Sequence, residues 1–167
     1  MSKIIIREYI PQKNQEDRDG LLDAYLSIWN HPDNFKFLSF TLKPFEEHSV
    51  NRFFSGHVDM GIHYYAAGNK NKEKYGIAVV GANPVIGFEI IGLGVQADLK
   101  NKGIGTQLLK YVLKVAEDSD FMAVDTVVFA DNIPMLRLLL SMGFIPVNMR
   151  HSIRADGGDS LRMRKSL

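Results

Sequence analysis

The sequence has no cysteine, which excludes disulfides, thiolate metal ligands and a covalent cysteine nucleophile. It also lacks an excess of either charge: twenty Lys and Arg stand against nineteen Asp and Glu, a formal net charge of +1. No bulk field recruits nucleic acid or an anionic membrane, so neither is expected as a partner. The five histidines, His31, His48, His57, His63 and His151, show neither H-x-x-x-H nor H-E-x-x-H spacing. No metal site is expected from them. One apolar stretch, Ile77 to Val95, is long enough to raise a membrane span, but Asn83, Pro84, Glu89 and four glycines interrupt it. Asn83-Pro84 is a turn signal that divides it into two strands.

What is present is an ordinary globular composition, 46% hydrophobic and 23% charged over 167 residues, which predicts a single domain over 1–167. Ahead of Arg7 and Glu8 there is only Ile4–Ile6, too short for a signal-peptide core. With the lack of cysteine, this predicts a cytoplasmic protein. Lys70, Lys72 and Lys74, interrupted by Asn71 and Glu73, predict a solvated loop.

Periodicity supplies a coarse map. Ile4 to Tyr9 predicts a strand, and Leu21, Leu22, Tyr25, Leu26 and Trp29 a helix that stops before His31-Pro32. The segment from Asn30 to Pro44 is irregular, and a second helix is expected from Phe45 to Ser55. Ile62 to Ala67 and Tyr75 to Val80 read as a hairpin, followed by a longer strand from Val85 to Val95. A hinge from Gln96 to Lys102 leads into a helix over Gly103 to Asp118, marked by an apolar stripe through Ile104, Leu108, Leu109, Val112, Val115 and Ala116. Thr126 to Ala130 predicts a buried strand. Asp131 or Asn132 then caps a helix that has Pro134 in its first turn and ends at Gly143. Phe144 to Ile153 and Ser160 to Leu167 predict a long hairpin, and its edge offers a place for a homodimer contact.

The hinge carries the chemistry. Gly103 and Gly105 each cost a helix roughly 0.8–1.0 kcal/mol relative to alanine, so their place at a helix start suggests close approach of something bulky. First-turn N–H groups have no intrahelical partner and lie at the positive end of the helix dipole. They suit a phosphate, with Lys100, Lys102 and the Thr106 hydroxyl adding charge and a donor. The bland alternative is a turn that lets helix and sheet pack closely. Gly92-Leu93-Gly94-Val95-Gln96-Ala97 matches the dinucleotide G-x-G-x-x-A pattern literally, but no helix is expected to start at its glycines. A P-loop is absent.

These residues resemble the GNAT superfamily of acyl-CoA-dependent N-acyltransferases. The family's Q/R-x-x-G-x-G/A loop reads here as Lys100-Asn101-Lys102-Gly103-Ile104-Gly105, with lysine in place of the first residue. The family's Asn followed by a helix ending in Gly-Phe reads as Asn132 to Gly143-Phe144, and Met163 to Leu167 resembles its last strand. The resemblance covers about half the chain, from Val85 onward. It implies a mixed α/β fold, a mostly antiparallel twisted sheet of about six to seven strands with about four helices. It also implies transfer of an acetyl group from acetyl-CoA to an amine, on a small molecule or a peptide. On that resemblance, backbone groups of Leu93, Gly94 and Val95 would pair with the pantetheine arm, Lys100 to Thr106 would hold the diphosphate, and Asn132 would touch the cofactor.

Amine acylation requires a base, and Glu89 stands where some family members carry a catalytic glutamate, between Phe88, Ile90 and Ile91. Strand alternation puts it on one face with Val85, Ile91, Leu93 and Val95. A buried glutamate with a purely structural role is the competing reading. The family's acid, a tyrosine, falls at Leu139. Tyr64 and Tyr65 lie on a strand that could reach the cleft, whereas Tyr111 is expected to pack or face solvent. Trp29, His31, Asp33, Phe35 and Phe37 lie where the family shapes its acceptor pocket, or else form a helix-packing cluster. The missing tyrosine leaves open a second function, a non-catalytic acyl-CoA-binding protein.

Overall fold

The computed structural model describes residues 3–56, 61–71 and 73–167. His57 and Lys72, weighed above, lie outside the described residues. In chain order the elements are β1 (Ile5–Tyr9), α1 (Gln15–Trp29), α2 (Pro32–Leu38), α3 (Glu47–Gly56), β2 (Ile62–Gly68), β3 (Lys74–Asn83), β4 (Gly87–Val95), α4 (Ile104–Asp118), β5 (Ala123–Phe129), α5 (Ile133–Ser141), β6 (Ile145–Arg150) and β7 (Ser160–Ser166). The strands form one seven-stranded sheet in the order β1-β2-β3-β4-β5-β7-β6. Every pairing is antiparallel except β4 with β5. The mixed α/β fold is the one expected. No helix among the described residues is long and apolar enough to cross a membrane.

The alternation of strand side chains divides the core in two. Tyr64, Ile77 and Val79 pack with Leu21, Ile28, Trp29 and Phe54 of α1 and α3. Tyr65, Ala78 and Val80 point the other way, against Leu108, Val112 and Ala116 of α4 and Leu139 of α5. Each fully buried aliphatic side chain contributes on the order of 1.5–3 kcal/mol. The α4 stripe is thus the main clamp on the second face.

Five local differences from the sequence expectations have physical causes. The segment read as irregular contains α2, which starts with Pro32 in its first turn and His31 as its cap, accepting a hydrogen bond from the Asp33 amide. That gives five helices among the described residues. The strand expected from Val85 begins at Gly87, because the Asn83 carboxamide accepts from the Val85 and Ile86 amides and turns the chain there. Lys74 is buried rather than solvated, with its ammonium over the Tyr9 ring. The strand predicted from Phe144 to Ile153 is shorter, since β6 stops at Arg150 and residues 151–159 cross toward α2.

The fifth difference concerns the site. Val79 pairs with Gly92 and Val80 with Ile90, so Ile91 is an extra residue in β4. The bulge resets the alternation, and Glu89 does not share a face with Leu93 and Val95. Leu93 and Val95 join Phe88 and Ile90 on the α4 side. Glu89 falls on the other side with Gly92 and Gly94. A β-carbon on Gly92 would lie 3.2 Å from Trp29, and one on Gly94 2.7 Å from Ile28. These two glycines therefore admit α1 onto the sheet. The literal dinucleotide match is a packing feature.

Candidate functional site

The parallel pair β4–β5 is short. Its register covers Phe88 with Val124, Glu89 with Asp125 and Ile90 with Thr126. At that last pair the buried Thr126 hydroxyl donates to the Ile90 carbonyl at 2.8 Å, and beyond it the strands run on unpaired. The splay leaves one edge of β4 without a strand partner. The Gln96 amide donates to Tyr75 of the β3 side at 2.9 Å, so ladder alternation turns the backbone groups of Gly94 toward β3 and those of Leu93 and Val95 toward the cleft. The Val95 carbonyl is already engaged. The buried Asn34 carboxamide donates to it at 2.9 Å and to Ile28 at 2.8 Å, which ties α2 to the end of β4. Asn34 was not singled out from the sequence, where no motif marked it.

A 3-10 turn, Ala97–Leu99, separates β4 from the glycine loop. Asn101 and Gly103 both take positive φ, 62° and 79°, so the loop coils left-handed before α4 begins. Gly103 caps the helix with no side-chain hydrogen bond, and the Gln107 amide returns to its carbonyl. The amides of Ile104, Gly105 and Thr106 therefore point outward at the helix N-terminus. A β-carbon on Gly105 would meet Leu93, Val95 and Leu138 only at 3.7–3.8 Å. Packing does not require this glycine; its missing side chain widens the cleft. The Lys100 ammonium donates to the Asp33 carbonyl at 3.0 Å, and burial pushes its pKa down, opposed by Asp33. Lys102 is exposed and not on the cleft wall.

Two adjoining cavities result. One of about 330 Å³ runs along Asn34, Leu93, Gly94 and Val95 to Lys100, Asn101 and the Gly103–Thr106 turn. The other, about 180 Å³, lies at the splay against Glu89, Ile91, Thr126, Phe129 and Phe40. Phe37, Leu38, Leu93, Asn132 and Met135 border both. Asn132 caps α5, its side chain accepting from the Met135 amide at 3.3 Å. Nearly all the residues expected to hold a cofactor are thus brought to one cleft. Outward amides at a helix start, an unpaired strand edge and an uncluttered glycine turn fit a diphosphate bearing an amide-containing arm.

Glu89 is half-buried, borders the splay cavity and a third one on the sheet's other end, and has no hydrogen bond or ion pair among the described residues. No phenol joins it. Leu139 is fully buried in the core. Tyr64 and Tyr65, expected as possible cleft residues, are buried on opposite faces of β2 and line neither cavity. Burial pushes both phenols upward. Tyr111 packs at 5.6 Å on the Tyr65 ring. Of the aromatic group before α3, Trp29 stacks on Tyr25 in the core, and Phe37 reaches the cleft.

Arg154, beside the site, is a second residue that no sequence motif marked. Its side chain is 5% exposed, forks onto Asp131 at 3.0 and 2.8 Å and bonds Asp156 at 2.8 Å. It also donates to the Lys36 carbonyl and lies over Phe129. One guanidinium thereby joins α2, the turn before Asn132 and the β6–β7 loop. The only sequence signal was an arginine two residues ahead of the Asp156-Gly157-Gly158-Asp159 turn.

The sequence profile of the acetyltransferase (GNAT) family matches residues 20–144. No curated protein matches the chain significantly. Among solved structures, a GNAT superfamily phosphinothricin acetyltransferase from Sinorhizobium meliloti in complex with acetyl-CoA superposes with a TM-score of 0.79 at 16% identity, covering 98% of this chain and 88% of that one. An N-acetyltransferase from Staphylococcus aureus Mu50 gives 0.77 at 19%, covering 99% of both chains. A ribosomal-protein-alanine N-acetyltransferase from Brucella melitensis gives 0.75 at 19%, covering 98% and 99%. At these identities the likeness is one of fold.

Proposed function

The chain belongs to the acetyltransferase (GNAT) family, and on that premise we propose that it transfers an acetyl group from acetyl-CoA to a primary amine, with Glu89 as the base. The observation that carries this reading is the half-buried, unpaired Glu89 carboxylate at the apex of the β4–β5 splay, where the cofactor cleft meets a second opening. The amides of Ile104, Gly105 and Thr106 would bind the diphosphate, with Lys100, Asn101 and Gly103 shaping the turn and Lys102 adding outer charge. Leu93 and Val95 would orient the arm through their cleft-facing backbone groups, beside Gly94 and Asn132.

Bound acetyl-CoA supplies an acetyl thioester whose thiol, by analogy with cysteine near ~8.5, leaves without a dedicated proton donor. That accommodates leucine at position 139. An amine with a reference pKa near ~10.4 arrives as ammonium, so Glu89 first has to accept its proton, directly or through water. Phe37, Leu38 and Phe40 give the splay an apolar wall. A second copy would pair along β6, an edge strand exposed over its whole length.

The absence of a cleft tyrosine favours a second reading, an acyl-CoA-binding protein without turnover. Thiol release from acetyl-CoA over a panel of amines separates the two, with CoA-induced thermal shifts alongside. Turnover that falls at least a hundredfold in Glu89→Gln, with loss of the acidic limb of the rate–pH profile, supports the transferase. A CoA shift without turnover on any amine supports the binding protein.

A further inference from the structure

The third cavity, about 440 Å³, opens on the sheet face that α1 and α2 leave uncovered and is lined by Ile62, Glu89, Ile91, Asp125, Arg162 and Arg164 among others. Asp125 sits beside Glu89 in the β4–β5 register and beside Arg164 in the β5–β7 register. Its carboxylate accepts from Arg162 Nη2 at 2.9 Å, Arg164 Nε at 2.7 Å and Arg164 Nη2 at 2.8 Å. The hydrogen bonds from Arg164, and then Arg162, hold the Asp125 carboxyl below its ordinary range. Asp125 is 13% exposed, whereas Arg162 and Arg164 are 44% and 50% exposed. One aspartate thus fixes two guanidinium groups and leaves the cluster a charge of +1, and both arginines line the cavity with N–H donors that Asp125 does not take.

We infer that this Arg162–Asp125–Arg164 cluster is the specificity site for the acceptor, and that the acceptor is an amine carrying an anionic oxygen group near the amine, the α-amino acids being the simplest class. This rests on the transferase reading of the same cleft. The cleft has the charge pattern that complements a zwitterion: an unpaired carboxylate at Glu89 and a net positive cluster on the next strands. Arg162 and Arg164 stand on β7, two strands from Glu89, but their guanidinium groups reach back to Asp125 on β5, the strand about 4.8 Å from β4, which suits an anionic group a short way along the acceptor from its amine. The guanidiniums are held in place before a ligand arrives, so little side-chain freedom is lost on binding. The apolar wall, Ile62, Ile86, Ile91 and Met122, suits an apolar side chain on that acceptor.

The test compares leucine and methionine with their carboxamides, which keep the amine and lose the charge. Wild-type protein is expected to favour the acids at least tenfold in kcat/KM. Arg162→Gln and Arg164→Gln are each expected to cut that ratio at least fivefold, and Arg164→Lys to restore part of it. Acid and amide used equally, with ratios unmoved in both variants, would overturn the inference and leave the transferase reading standing. A binding arm works without turnover: leucine titrated into the CoA-loaded protein, followed by NMR of the arginine Nε–H resonances. Shifts with leucine and none with leucinamide support the anion site even if no amine is acetylated. No shift with either ligand overturns the inference, and turnover on another amine of the panel would leave the transferase reading standing. Thermal melts of each variant confirm that it is folded.

Discussion

The Thr126 hydroxyl donates to the Ile90 carbonyl at 2.8 Å, at the last residue pair of β4 and β5 before they diverge. Thr126 is 6% exposed, so removing the donor strands a buried carbonyl, at a cost of about 1–3 kcal/mol. Thr126→Val keeps the shape and is expected to lower Tm by several degrees, a shift read by calorimetry. Because the bond fixes where the splay begins, KM for acetyl-CoA should also rise in Thr126→Val and recover in Thr126→Ser. A valine variant with unchanged Tm and KM would show that the strands diverge there for other reasons.

The glycine turn separates backbone need from ligand need. Gly103 holds φ at 79°, where a β-carbon costs about 1–2 kcal/mol. Gly105 is in the first turn of α4 and has ordinary room for a methyl group, so Gly105→Ala should gain up to about 0.8–1.0 kcal/mol in helix propensity. The expected results are a lower Tm for Gly103→Ala and an unchanged or higher Tm for Gly105→Ala. In Gly105→Leu, calorimetric titration should show CoA affinity down at least tenfold with the fold intact. Undiminished affinity in that variant would remove the turn from the cofactor site.

Much of this was legible in the sequence because it rests on local rules. The stripe of α4, the cap at Asn132, the left-handed Gly143 and the glycine turn each follow from spacing that a few residues carry by themselves. What was not legible depends on partners far apart in the chain. The Ile91 bulge is visible only once β3 is laid beside β4, and it moved Glu89 off the face that simple alternation assigned. Lys74 looked like loop charge until Tyr9 came across the sheet edge to meet it. Arg154, Asp131 and Lys36 are separated by 23 and 118 residues along the chain, and no window of local sequence contains such a cluster. Leu139 was read correctly as lacking a hydroxyl, but its full burial shows that no small rotation of α5 would put that position on the cleft wall.

The Arg154 cluster gives the protein a pH-dependent contribution with a definite sign. Hydrogen bonds from Arg154 hold the Asp131 and Asp156 carboxyls below their ordinary values. A carboxyl depressed in the folded state adds stability above its unfolded pKa, near ~3.9, and loses it as pH falls through the folded value. Wild-type Tm should therefore drop on acidification below about pH 4. Arg154→Met removes the buried cation and leaves Asp131 and Asp156, both about half exposed, free to hydrate. That variant should lose Tm at neutral pH and lose less further on acidification. Since the cluster also ties the β6–β7 loop to α2, amides in 151–159 should exchange faster with deuterium in Arg154→Met. An acid dependence identical to wild type would mean that other carboxylates, Asp125 with its two arginines first among them, set the acid limit of the fold.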